Sequence, residues 1–242
     1  MTNKAIDSLV DENFVYAKVL GFFGVEFYNN RGKTLSEICQ ENNLNEERIK
    51  DVLSKVEHEK VSADELKKYP ARLIIEYLRH SHQLFIKDRL PYILKLINAV
   101  SDEKPSAMIS DLKFVMPIFI EDFIGHIYEE EDRLFNYVSK LEKMVNSNDT
   151  PTNFSLNSFS IQEFALHHSD SDDEMKGIRG ITDQYKLEEI EDIHVRVILQ
   201  ELQQFDHELE LHANIENLIL FPKALALEKK AALLLSSNSS LN

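Results

Sequence analysis

A single cysteine, Cys39, is all the thiol carried by this chain of 242 residues. One sulfur can neither close an intramolecular disulfide nor build a cysteine-rich cluster, which excludes disulfide frameworks and thiolate-held structural zinc sites. Glycine and proline are scarce as well, with 6 of each. Combined with abundant Leu, Ile, Glu and Lys, that scarcity points to a mainly helical protein, long enough to bury a sizeable core. Basic charge is in deficit: 27 Lys and Arg stand against 42 Asp and Glu, a formal net charge of -15. Such a surplus repels phosphate backbones and anionic lipid, and no basic, aromatic-interleaved patch offsets it, so neither nucleic acid nor membrane is an expected partner. No stretch approaches the roughly 20 apolar residues of a membrane span. The N-terminal residues MTNKAIDSLVDENF lack the apolar core of a signal peptide. The expected location is cytoplasmic.

The chain divides by composition into residues 1–62, a small helical N-terminal domain, residues 63–234, a long helical domain, and residues 235–242, a disordered tail. Within the first, Gly24, Asn29, Asn30 and Gly32 supply turn chemistry between residues 21 and 33. Thr34 followed by Glu37 reads as a capping box that opens a helix from Leu35 to Glu41. Asn45 caps a further helix to about residue 56. The long domain reads as four helices. The first covers residues 72–100 with a kink at Pro91, and the second covers 106–145 with a break near Pro117. The third covers 160–185, and the fourth runs from about 189 to 234. Four long helices joined by short loops make an all-α fold, an antiparallel four-helix bundle that gathers ligands from facing helices.

One pattern occurs twice. His126, Glu130, Leu134 and Phe135 repeat as His212, Glu216, Leu220 and Phe221. Four residues apart on a helix, His and Glu share a face and can converge on one point. A lone H-x-x-x-E is most often an exposed pair of neighbours on a helix surface. Here the same Leu-Phe follows at the same offset, and Phe123 with Ile127, like Leu209 with Ile219, sets each histidine near the buried side. Buried histidine and carboxylate pairs need a compensating cation, and mixed N/O donors suit iron or a similar first-row metal. The other two long helices each offer two histidines for the same site: His80 and His82 on the first, His167 and His168 on the third. Tyr128, Tyr185 and Asp206 are candidates for orienting the imidazoles.

The strings H-x-x-x-E-x-x-x-L-F at His126 and H-A-N-I-E-N-L-I-L-F-P from His212 to Pro222 resemble the hemerythrin-type bundle. More closely, they resemble the RIC family of di-iron proteins, which repair iron-sulfur clusters after nitric oxide or oxidative damage. The resemblance extends over nearly the whole chain. It implies a hemerythrin-like bundle preceded by a small domain, and two iron ions in an oxo- or hydroxo-bridged centre. The implied ligands are His82, His126, Glu130, His168, His212 and Glu216, with the two glutamates bridging. His168 is preferred to His167 because Met175, Ile178 and Thr182 then fall at the family's offsets; His82 matches best on the first helix, with His80 left open. His207, His58 and His194 have no matching role. The implied partners are damaged iron-sulfur proteins and the small gases O2 and NO, with a homodimer left open.

One departure bears on chemistry. Where the family carries a cysteine pair, this chain has Tyr28 and Asn29, so thiolate redox or ligand transfer there is not available. The leading expectation is iron-sulfur cluster repair or nitrosative and oxidative stress defence through a labile iron centre. The alternative is a non-catalytic carrier or sensor of oxygen, nitric oxide or iron.

Overall fold

The computed structural model of the chain describes residues 4–54, 67–101, 106–147, 155–156, 159–171, 174–188 and 190–239, and of 167–171 and 237–239 the backbone alone. His58 and the last residues of the helix expected to reach residue 56 lie outside the described residues. Among the described residues there is no strand; one isolated antiparallel bridge joins Ala5 and Thr34. The class is all-α. No helix among the described residues is long and apolar enough to cross a membrane. The chain forms two compact units, each discontinuous in sequence: residues 1–60, 91–114 and 178–205 make one, and residues 61–90, 115–177 and 206–242 the other.

The first unit begins with four short helices, α1 (Ile6–Glu12), α2 (Val15–Phe22), α3 (Leu35–Glu41) and α4 (Glu46–Ser54). The Glu37 N–H donates to the Thr34 hydroxyl over 3.3 Å and the Thr34 N–H donates to the Glu37 carboxylate over 2.7 Å. This reciprocal cap starts α3 at Leu35, where the sequence sets it. The Asn45 side chain accepts from the Arg48 N–H at 3.0 Å and starts α4 in the same way. Gly24 and Gly32 turn the chain with φ of +78° and +76°, conformations that cost any residue with a Cβ. Ile6, Leu9, Leu20, Phe27, Leu35, Ile38, Ile49 and Leu53 fill the interior of this unit, each no more than 1 % exposed.

The long helices are α5 (Ala71–Leu84), α6 (Leu90–Asn98), α7 (Ala107–Glu129), α8 (Asn136–Ser147), α9 (Ile161–Ser171), α10 (Lys176–Ile181), α11 (Ile193–Ile215) and α12 (Phe221–Ser239). In the second unit, α12 packs on α8 and α9, and α5 packs on α8. Their shared core includes Ile74, Leu78, Leu134, Phe135, Val138, Leu141, Leu220 and Ala224. Arg89 and Glu208 form a two-point ion pair across this unit, with donor to acceptor distances of 2.8 and 2.6 Å.

Several expected boundaries change. Pro117 sits inside an unbroken α7. The single helix expected over 160–185 is two, α9 and α10, closed by three successive residues of positive φ, Asp183, Gln184 and Tyr185. Among the described residues the interruption is seen at Glu174 and Met175, at the end of the acidic run D-S-D-D-E, where poor helix formers and like charges one turn apart oppose continuation. The last long helix starts at Ile193 because the Asp192 carboxylate accepts from the His194 N–H at 2.7 Å. Residues 235–239, expected in a disordered tail, continue α12, and 240–242 lie outside the described residues.

Three π-helical turns join these helices: Phe85–Arg89 between α5 and α6, Glu130–Phe135 between α7 and α8, and Glu216–Leu220 between α11 and α12. The first of them immediately precedes Leu90 and Pro91, where a kink is expected. Proline cannot donate to the carbonyl four residues back, and a turn widened to i→i+5 bonding removes that demand. The widening also explains the repeated Leu-Phe. In an α-helix the fourth and fifth residues after a reference point about 40° and 140° away from it. With roughly 4.4 residues in a π turn, they straddle the reference direction at about 30° to one side and 50° to the other. So Glu130, Leu134 and Phe135 are all buried, at 2, 0 and 0 % exposure, and Glu216, Leu220 and Phe221 at 1, 0 and 4 %. Phe85, Arg89 and Leu90 follow the same rule at 5, 8 and 1 %.

Deleting Leu218, which is 63 % exposed, should therefore be far more damaging than its exposure suggests. Closing the π turn to an α turn rotates α12 by about 100° against α11 and turns either Glu216 or the Leu220–Phe221 pair out of the core. Thermal denaturation should register a loss of about 3 kcal/mol or more, whereas Leu218→Ala should stay within about 0.5 kcal/mol. Equal melting temperatures for the deletion and the substitution would show that the π register does not hold the core.

Candidate metal centre

α5 and α11 each deliver a histidine, and the turns that follow α7 and α11 each a glutamate, to one point in the second unit. His82 lies on the inner stripe of α5 with Ile75 and Leu78, 1 % exposed, whereas His80 points to solvent. The structure thus separates two histidines that the sequence left open. His212 lies on α11 at 9 % exposure, and Glu130 and Glu216 open the two π turns. One donor atom from each of His82, Glu130, His212 and Glu216 lies within 4.8 Å of all the others. The individual separations are 3.2 Å from His82 Nε2 to Glu130 Oε2, 3.0 Å from His82 Nε2 to His212 Nε2, and 3.5 Å from His212 Nε2 to Glu216 Oε1.

The donor set fits a divalent cation. Donors on neighbouring vertices around an ion with bonds of about 2.1 Å are about 3.0 Å apart in an octahedron and about 3.4 Å in a tetrahedron. Both carboxylates are almost wholly withdrawn from water. If ionised at the 4.8 Å limit they repel by roughly 3 kcal/mol at an effective dielectric constant of about 20. Two ring nitrogens facing each other at 3.0 Å share at most one proton in their neutral forms, and His212 Nδ1 is buried without a hydrogen-bond partner. A cation at the centre turns each of these strained pairs into a set of lone pairs directed at positive charge.

His82 is the candidate donor whose orientation is most fully defined. Its Nδ1 lies 2.9 Å from Glu131 Oε1, which fixes the tautomer that turns Nε2 inward, the carboxylate–histidine arrangement of many metal sites. Its ring stacks on Phe135, centroids 5.6 Å apart and planes 7° from parallel, and Phe85 meets His212 edge-on at 5.6 Å. Burial by itself depresses the His82 pKa, but the hydrogen bond and charge of Glu130, with Glu131 and Glu216 behind it, prevail and raise it above the ordinary histidine value.

His126 stands at the rim, its side chain 26 % exposed, with Nε2 at 2.9 Å from Glu130 Oε1 and 3.9 Å from Glu174 Oε1. His168 and His167 fall on α9, and their side chains lie outside the described residues. Met175, Ile178 and Thr182, the residues used to set that register, are all buried. His207 is exposed beside Glu210. His194 is buried in the first unit, stacked on Tyr28 with centroids 4.4 Å apart and planes 5° from parallel, and burial holds its pKa low.

Sequence reasoning overlooked Glu131 as the group that orients His82, and Glu174 beside His126. Tyr128, one of the residues expected in an orienting role, is 61 % exposed. Glu131 adjoins Glu130 in sequence, and the two reach His82 from different sides of its ring, Glu130 at Nε2 and Glu131 at Nδ1. Compared with known proteins, the chain matches no family model and no curated sequence.

Because the raised His82 pKa places a proton where a cation would sit, the two compete. Metal uptake at neutral pH should release protons, and affinity should fall as pH is lowered. Calorimetry with Co(II) in two buffers of different ionisation enthalpy checks this, and a heat independent of buffer would exclude the competition. Glu131→Gln should weaken binding by roughly 10- to 100-fold.

Proposed function

We propose that the protein is a di-iron protein with a hemerythrin-like antiparallel four-helix bundle, acting in iron-sulfur cluster repair or in defence against nitrosative and oxidative stress. The observation that carries this reading is the buried His82, Glu130, His212 and Glu216 set, two imidazoles and two carboxylates within 4.8 Å. Nitrogen and oxygen donors without thiolate suit iron, manganese or zinc, and the two repeated His/Glu pairs speak for two ions. When bound, iron supplies Lewis acidity and an open position for a small gas.

The chain's own residues do the rest. Glu131 holds the His82 ring, Phe135 and Phe85 keep water from His82 and His212, and the Arg89–Glu208 pair ties the π turn after α5 to α11. Iron-sulfur proteins and the gases O2 and NO are the partners this reading assigns, in the cytoplasm, and the charge of -15 supports the absence of nucleic acid.

A second reading, a carrier or sensor of oxygen, nitric oxide or iron, is favoured by a specific observation. Cys39 is 3 % exposed, and burial, with Glu46 adding to it, raises its thiol pKa. A buried, protonated thiol is neither a nucleophile nor a metal ligand, and Tyr28 and Asn29 supply no replacement.

Elemental analysis of protein expressed with ample iron should find two irons per chain; none, or a single zinc, overturns the proposal. Mixing the iron-loaded protein with an apo iron-sulfur enzyme, with and without added thiol, separates the two readings. Repair restores that enzyme's activity, slowly unless thiol is supplied. Stable reversible gas binding with no restoration in either condition assigns a carrier or sensor.

A further inference from the structure

We propose that Arg79 is a positioning residue for the metal centre, holding the Glu131 carboxylate in the orientation that fixes the His82 ring. The inference rests on the reading of His82, Glu130, His212 and Glu216 as a metal site, and it concerns how tightly that site grips an ion.

Four side chains close a ring of contacts between α5 and the π turn after α7. Glu131 Oε1 lies 2.9 Å from His82 Nδ1, and its other oxygen, Oε2, lies 3.7 Å from Arg79 Nε. Arg79 Cζ stands 5.9 Å from the centre of the Phe135 ring, and that ring in turn stacks on His82. Arg79 and His82 are three residues apart on α5, neighbours on its surface, so one helix carries both the ligand and the residue that steadies it.

Glu131 needs its second partner. It meets the same imidazole as Glu130, which lies 3.2 Å from His82 Nε2, and two carboxylates around one ring repel each other. The Glu130 side chain is 2 % exposed and that of Glu131 is 30 % exposed, so Glu131 is the one with room to swing toward water. A carboxylate held at one oxygen pivots about that contact; an opposite charge at the other oxygen fixes its plane. At 3.7 Å the Arg79 contact is longer than a hydrogen bond and acts through charge. The Phe135 face keeps the guanidinium in place by a cation–π contact. The Arg79 side chain is 42 % exposed, so the sequence of contacts from Arg79 through Glu131 to His82 runs from the surface to a buried donor. An imidazole anchored at Nδ1 presents Nε2 to an ion without first having to be ordered.

The test is titration of the full chain with Co(II), followed by proton NMR of the loaded protein, in which the Nδ1–H of a coordinated imidazole gives a paramagnetically shifted, exchangeable resonance. The His82 resonance is the one displaced in Glu131→Gln. Arg79→Gln should lower Co(II) affinity roughly three- to tenfold, the size expected of one exposed ion pair and one exposed cation–π contact. It should also speed exchange of the His82 Nδ1–H with water, and Arg79→Lys, which keeps the charge, should recover part of both losses. Because Arg79 works through Glu131, adding Arg79→Gln to Glu131→Gln should cost no further affinity. The metal-free melting temperature of Arg79→Gln should match that of wild type. Equal affinity and exchange in wild type and Arg79→Gln, additive losses in the double variant, or a metal-free melting temperature that falls with the affinity would each overturn the inference while the metal site stands. A wild type that takes up no Co(II) overturns the metal site itself.

Discussion

Glu130 and Glu216 are withdrawn from water to 2 and 1 % exposure with donor oxygens no more than 4.8 Å apart, and the second unit is arranged around that constraint. Removing an ionised carboxylate from water costs several kcal/mol even after relaxation, and two of like sign cost more when brought together. Hydrophobic packing cannot recover this. The imidazoles of His82 and His212 supply part of the compensation, and a bound cation would supply the rest. Phe135 on His82 and Phe85 against His212 cover the donors, and the same burial that makes the carboxylates costly would make any cation between them tightly held.

The π turns are the backbone's answer to the same constraint. A continuous α-helix cannot present Glu130, Leu134 and Phe135 to one interior, since consecutive residues diverge by about 100°. One widened turn at each place lets a charged ligand and its two apolar covers share a direction. Such turns are poorer in hydrogen-bond geometry than the α-helix, and their concentration at functional sites reflects a local cost repaid by ligand placement. Among the described residues there are three of them, and two begin at a candidate ligand while the third begins three residues after one.

Among the described residues of the first unit no such donor group forms. Cys39 is buried within it, and Tyr28 stacks on His194, whose pKa is lowered by burial. The repair and carrier readings differ in whether this chain needs a thiol of its own, and the burial of its one thiol, Cys39, weighs toward an external one. The acidic surface is consistent with either reading.

Helical class, the Thr34 capping box and the two H-x-x-x-E pairs were legible in the sequence, because each depends on residues within one or two turns of each other. The Leu-Phe at the same offset could also be read as a signal, but its cause could not. A π turn is stabilised by what the widened face packs against, and that is decided by distant helices. For the same reason, which of His82 and His80 is buried was decided only by which side of α5 meets the core of the second unit. The split of α9 from α10 was half legible, in the acidic run at 170–174. Glu131 and Glu174 were not legible: both sit in acidic runs where any carboxylate reads as solvated surface. Only the fold, by bringing α5 beside the π turn at Glu130 and the α9–α10 turn beside His126, singles them out. Local pattern determined which residues could carry metal chemistry; tertiary packing decided which of them meet, because convergence of donors from separate helices is a property of distance through space and not along the chain.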